Sequence, residues 1–135
     1  MVNLRYWQER GNKLSALSNL QAAIIQLEGS NPSYNNPGDI TDEFAGATGE
    51  TFGAGIPIYS TPESGLAALQ QKLSNIFAGN STTYPLSMTL DQFGATYSGN
   101  TPGYGANLAN ILNVPSSTTL GELASGANAT SSGDL

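Results

Sequence analysis

Cysteine and histidine are both absent from this chain of 135 residues. Without thiols there is neither a disulfide framework nor a thiolate metal site, and without imidazole the commonest general base and nitrogen metal ligand is gone. Ser-His-Asp, Cys-His and His-zinc chemistry are thereby excluded, and any catalysis falls to carboxylates assisted by hydroxyl and amide groups. Charge is scarce as well. Only 10 % of residues are charged, ten acidic against four basic, for a net charge of −6. Four cations cannot form the clustered surface that a phosphate backbone requires, so nucleic acid is not expected as a partner. No apolar run approaches the roughly 18 residues needed to span a bilayer, so no membrane span is expected, and Met1–Lys13 lacks the hydrophobic segment of a signal peptide. Gly46, Gly49, Gly53 and Gly55 suggest a phosphate loop, but no Lys follows at the required spacing. Neither a cofactor nor a metal is expected.

The length fits one domain with one core. Residues 1–13 hold three of the four basic residues and the only Trp, Trp7, without clear periodicity, and read as an N-terminal arm or docking segment. From Leu14 the positions Leu17, Leu20, Ile24 and Leu27 recur at helical spacing until Gly29 and Pro32 stop the pattern. Ser30–Ser60 turns to Gly, Asn, Pro and Thr, with only Ile56–Tyr59 strand-like. Thr61-Pro62-Glu63 supplies an N-cap, a first-turn proline and an early acid for a helix whose apolar face is Leu66, Leu69, Leu73, Ile76 and Phe77. Short helices follow from Thr89 (Leu90, Phe93, Tyr97), from Pro102 (Tyr104, Leu108, Ile111, Leu112) and around Leu120 and Leu123. Residues 124–135 read as a low-complexity tail, and no internal repeat is apparent. The expected fold is mainly α, five helices with a small irregular or β lobe after the first.

Among ten acidic residues Glu28 stands apart, because it ends an amphipathic helix at the edge of a Gly/Asn/Pro-rich loop. The macrodipole opposes a negative charge there, and Ile25 and Leu27 can desolvate it, two effects that raise a carboxyl pKa toward the range of a general acid. Spacing alone is equally compatible with a solvated helix-end glutamate. Asn35 and Asn36 carry amides suited to sugar N-acetyl and hydroxyl groups, but Asn-Asn-Pro-Gly is also strong turn chemistry. Tyr97 and Tyr104 either brace Glu28, stack on a sugar ring or belong to the core with satisfied hydroxyls.

Read together, Ile24-Ile25-Gln26-Leu27-Glu28-Gly29 followed by Asn35-Asn36-Pro37-Gly38-Asp39-Ile40 resembles a group of phage and prophage lysozyme-like proteins, in which a helix ends in Glu-Gly before an Asn-Asn-Pro-Gly-Asn loop. Ile58-Tyr59-Ser60-Thr61-Pro62-Glu63-Ser64-Gly65-Leu66-Ala67-Ala68-Leu69 is similar to the stretch opening that group's next long helix. Leu90–Asn100, Tyr104, Leu112-Asn113-Val114-Pro115 and Thr119-Leu120 resemble its C-terminal half. Ala95-Thr96-Tyr97-Ser98-Gly99 is also similar to the Ala-Tyr-Asn-x-Gly motif of lytic transglycosylases. The resemblance spans roughly residues 14–123.

It implies a single lysozyme-like domain at 14–123 that cleaves peptidoglycan glycan strands, with Glu28 as the catalytic acid and Asn35, Asn36, Tyr97 and Tyr104 around the substrate. Two outcomes stay open. A muramidase uses a second carboxylate, for which Asp39 and Asp42 are the first candidates and Glu43 and Glu50 lie in the same lobe, whereas a lytic transglycosylase works through one glutamate. Asp39 stands where the group usually has Asn, either as a second acid or as an equivalent turn former. Because the bacterial wall is anionic, a chain of this charge gains nothing from electrostatic steering, so the expected setting is a virion, or release to the cell wall, with residues 1–13 contacting other virion proteins. The competing expectation is a non-catalytic structural or wall-binding virion protein retaining the fold.

Overall fold

The computed structural model describes residues 4–125 and, within the first helix, side chains from Ala16 onward. Five α-helices and one two-stranded sheet follow in the order α1 (Leu4–Glu28), β1 (Ala47–Phe52), β2 (Ile56–Tyr59), α2 (Pro62–Phe77), α3 (Leu90–Tyr97), α4 (Tyr104–Leu112) and α5 (Leu120–Ala124). The helix-rich class with a small β element is as expected. The first helix starts at Leu4 rather than Leu14 and runs for 25 residues. Its extension has no regular apolar stripe, so periodicity gave no sign of it, but adding a turn to an existing helix needs no new nucleation. The expected tail at 124–135 lies, beyond Ser125, outside the described residues.

Leu17, Leu20, Ala23 and Ile24 form the buried stripe of α1, which packs against α2, α4 and α5. On α2 the buried face is Ala68, Leu69, Leu73, Ile76 and Phe77. Leu66, expected on that face, is 40 % exposed. Leu20, Leu69, Leu73, Leu90, Leu108 and Leu120 are all fully excluded from solvent, and truncating such a residue costs about 2–5 kcal/mol. Thr61 caps α2 as expected: its hydroxyl accepts from Ser64 N at 3.0 Å while Ser64 Oγ accepts from Thr61 N at 3.2 Å.

The lobe is a hairpin in which Ala47 pairs with Tyr59 and Phe52 with Ile56, with an irregularity between Ala47 and Thr51. Strand β1 is almost wholly exposed, whereas β2 turns Pro57 and Tyr59 inward. That asymmetry explains why only β2 was legible as a strand. The Tyr59 hydroxyl donates to Asp42 O at 2.9 Å and accepts from Phe44 N at 3.0 Å, fixing the preceding loop to the hairpin.

A repeat does exist. Pro85-Leu86-Ser87-Met88-Thr89-Leu90-Asp91-Gln92-Phe93 and Pro115-Ser116-Ser117-Thr118-Thr119-Leu120-Gly121-Glu122-Leu123 each form a turn, a Thr N-cap with a capping box and the start of a helix. The two copies exchange backbone bonds reciprocally, Leu90 N to Thr118 O and Leu120 N to Met88 O at 2.9 Å, flanked by Asp91 N to Ser116 O at 3.1 Å and Gly121 N to Leu86 O at 2.8 Å. Only Pro, Ser, Thr and Leu are identical between them, too few to register as a repeat in the sequence.

Helices α3 and α4 touch backbone to backbone. A Cβ on Gly94 would sit 2.3 Å from Gly105 N, and one on Gly105 would sit 2.5 Å from Leu90 O. Any larger residue at either position forces the helices apart.

Candidate functional site

Glu28 is the last residue of α1 and half-buried. The helix stops because Gly29 takes the left-handed conformation, φ +54°, while its N–H still reaches Ile25 O at 3.2 Å, a helix stop that glycine adopts without steric cost. The chain then makes a short 3-10 turn at Pro32–Tyr34, capped by the Asn31 side chain, and enters Asn35-Asn36-Pro37-Gly38-Asp39.

This loop is rigid for identifiable reasons. The Asn36 amide donates to Ile40 O at 3.0 Å and Pro57 O at 2.8 Å and accepts from Ile40 N at 3.1 Å, with the residue 1 % exposed. Asn35 donates to Tyr59 O at 2.9 Å from a left-handed backbone, φ 53°. The start of α2 lies so close that a Cβ on Gly65 would fall 1.6 Å from Asn35 O. Tyr97, from the end of α3, donates to Gly38 O at 2.5 Å. Asp39, also left-handed at φ 49°, accepts from Ser30 Oγ at 2.8 Å.

From the opposite side Tyr104, the first residue of α4 and almost fully buried, donates its hydroxyl to Glu28 Oε2 at 2.5 Å. Its ring packs on Tyr97, centroids 6.2 Å apart and 29° between planes, and Tyr97 in turn meets Phe93 at 5.3 Å. An aromatic wall thus backs the carboxyl group. Its rings are fixed by the α3–α4 contact just described.

The pKa of Glu28 is raised from 4.5 to about 7. Burial is the largest cause; the Tyr104 hydrogen bond opposes it, and the hydrogen bond and negative charge of Asp39 add to it. Burial first, and then the neighbouring Glu28 carboxyl that accepts its bond, push the Tyr104 phenol above its ordinary value. Burial also raises Tyr97, followed by the electrostatic influence of Tyr104 and Glu28. Both phenols therefore stay neutral donors, and Glu28 can hold or release a proton near neutral pH.

The structure brings Glu28, Tyr104 and Asp39 together, with Tyr97 one layer behind through Gly38. Asn36 spends its amide within the loop, on Ile40 and Pro57, although the residue borders the groove described next. One expectation needs correction. Asp42 is not placed as a partner for Glu28: it pairs with Lys72 at 2.5 Å, beside a separate depression of about 240 Å³ that includes Phe44, Asn75 and Ser81, and is not among the groups acting on Glu28. Asn35 and Asn36 both line a groove of about 260 Å³, together with Ser30, Asn31, Pro32, Pro37 and Pro62. Ser30 had not been anticipated; a hydroxyl two residues after Glu28 was the available signal. The side chains of residues 1–13, Trp7 included, lie outside those described. Among the described residues no three acidic groups gather as a metal site, and no helix is long and apolar enough to cross a membrane.

Comparison of the chain with protein-family models, curated proteins and solved structures finds no match.

Proposed function

We propose that this chain is a lysozyme-like, peptidoglycan-cleaving glycosidase that works as a lytic transglycosylase, with Glu28 as its single acid and base. The observation that carries this reading is the half-buried Glu28 carboxyl, tuned to about 7 and gripped on one oxygen by Tyr104. Because Tyr104 donates to Oε2, the exchangeable proton belongs on Oε1. The glycan strand runs past Glu28 with a sugar ring in the adjoining groove, where Asn35 and Ser30 supply polar contacts and the three prolines apolar ones. Glu28 gives its proton to the glycosidic oxygen, the bond from that oxygen to C1 breaks, and the leaving sugar departs as an alcohol. The C6 hydroxyl of the retained muramyl residue then bonds to C1 and returns its proton to Glu28, closing a 1,6-anhydro ring without consuming water. Tyr104 stabilises the carboxylate between the two transfers.

Hydrolysis is the weaker reading because a second carboxylate must stand about 5–5.5 Å away as nucleophile or about 6.5–9.5 Å away as base. Asp42 is engaged by Lys72 and Asp39 by the Ser30 hydroxyl. The scarcity of cations favours delivery to the wall as part of a virion, with residues 1–13 as the attachment.

Purified chain is expected to clear a peptidoglycan suspension, and Glu28→Gln to abolish clearing. Mass spectrometry is expected to find anhydro-muramyl ends. Reducing ends mean a muramidase instead, and no product from any wall preparation means a wall-binding or structural protein.

A further inference from the structure

Lys72 is the one basic residue of the sequence beyond Lys13, and the fold draws it in from the surface. Its ammonium lies 5.3 Å from the centre of the buried Tyr84 ring, within reach of a cation–π contact, and donates to Asp42 Oδ1. The Lys72 side chain is 14 % exposed and that of Asp42 39 %. A partly exposed ion pair contributes little to stability, so the pair calls for another explanation. An ammonium has three donors, and among the described residues Asp42 is the only hydrogen-bond acceptor that Lys72 reaches. The Asp42 carboxylate in turn uses Oδ1 alone on Lys72.

Both residues line the depression of about 240 Å³, where Asn75, Asn80 and Thr82 add polar groups and Phe44 an apolar wall. Phe44 and Asn75 also border a second hollow of about 370 Å³, lined by Ala45, Ala67 and Ala68, so the two hollows form one trough along α2. A lone anion fits the charged end badly, because Asp42 repels it beside Lys72, and a lone cation is repelled by Lys72. A group bearing both charges meets each with its opposite: its carboxylate accepts from Lys72 while its ammonium donates to Asp42 Oδ2. The alanine-lined hollow has room for small side chains, and the Asn75 amide and Thr82 hydroxyl suit peptide groups.

We propose that this trough binds a short peptide by a terminal residue that carries an ammonium and a carboxylate on one carbon. That the source is the stem peptide of a muramyl residue rests on the glycosidase reading of Glu28. Asp42 is three residues from Asp39, whose carboxyl bonds to Ser30 in the glycan groove, a span of at most about 11 Å of chain. Cross-linking consumes the ammonium, so the trough selects stems that are not cross-linked.

The test is titration of the full chain, followed by nitrogen NMR, with N-acetyl-L-Ala-γ-D-Glu-meso-diaminopimelate, with the same peptide acetylated on its free amino group, and with L-alanine, repeated in Lys72→Met and Asp42→Asn. Met keeps an apolar stem against Tyr84. The peptide is expected to shift the amide signals of Asn75, Asn80 and Thr82, and loss of one charge contact, by acetylation or in either variant, to weaken binding about tenfold. No binding of the peptide, equal affinity for its acetylated form, or native affinity in both variants overturns the proposal. L-Alanine bound as tightly as the peptide assigns the depression to free amino acids and overturns it as well. On polymer, the native chain is expected to cleave stem-bearing glycan faster than glycan stripped of peptide, and Lys72→Met to lose that preference; equal native rates on the two overturn the stem as source. If the native chain cleaves neither while the peptide still binds, the glycosidase reading fails and the peptide site stands.

Discussion

Glu28→Gln is expected to raise the stability of the fold at alkaline pH while leaving it unchanged in acid. A carboxyl raised from 4.5 to about 7 on folding binds its proton more tightly in the native than in the unfolded chain. Below pH 4.5 both states are protonated and the group contributes nothing to the pH dependence. Between pH 4.5 and 7 the unfolded chain has released the proton and the native chain retains it, so stability falls as pH rises, and above 7 the loss is complete. At full effect the difference corresponds to about 3 kcal/mol; Glu28 is only half-buried, and screening by solvent reduces this to about 1–2 kcal/mol. Gln cannot ionise and still offers an amide oxygen to the Tyr104 hydroxyl, so the variant escapes the penalty. Urea unfolding at pH 4 and pH 8 is the assay. The two proteins should match at pH 4 and differ by about 1–2 kcal/mol at pH 8, with the variant melting higher by about 3–5 °C per kcal/mol in a domain of this size. Parallel stability profiles from pH 4 to pH 8 would refute a perturbed Glu28.

Tyr104→Phe removes the donor that favours ionised Glu28, so the Glu28 midpoint rises and clearing slows roughly tenfold or more through loss of carboxylate stabilisation, read from a pH–rate profile. Asn36→Ala leaves Ile40 N, Ile40 O and Pro57 O without their partner and costs about 2–4 kcal/mol, measured by chemical denaturation. Asp42→Asn breaks the pair with Lys72 for at most about 1 kcal/mol and leaves the Glu28 midpoint in place; a displaced midpoint would put Asp42 back in the site. Gly105→Ala drives a methyl group to 2.5 Å from Leu90 O and destabilises by about 1–3 kcal/mol, with weakened Tyr104 ring signals on Glu28 in NMR.

Local grammar made much of the fold legible. Thr61-Pro62-Glu63 fixed the start of α2, Glu28-Gly29 marked the end of α1, and Asn-Asn-Pro-Gly announced a tight turn. Glu28 itself was legible for the same reason, since a carboxylate at a helix end is a local fact. Its partners were not. Tyr104 lies 76 residues away in sequence, and nothing in its neighbourhood distinguishes a tyrosine aimed at a carboxyl from one filling the core. Asn36 was ambiguous because the same amide that recognises a sugar also closes a loop, and only its burial against β2 separates the two. Strand β1 was hidden by exposure on both faces, which erases the alternation that marks a strand.

The bare contact between Gly94 and Gly105 limits how the acidity of Glu28 can be varied. Side chains at a helix interface can be exchanged in small steps, each shifting a helix by a fraction of an ångström. Two backbones already touching offer no such gradation: α4 either lies flush on α3, with Tyr104 on Glu28, or is displaced with the phenol out of reach. Graded adjustment of the proton's affinity is left to groups outside that contact, such as Asp39, whose negative charge raises Glu28 and whose exchange for Asn moves no helix.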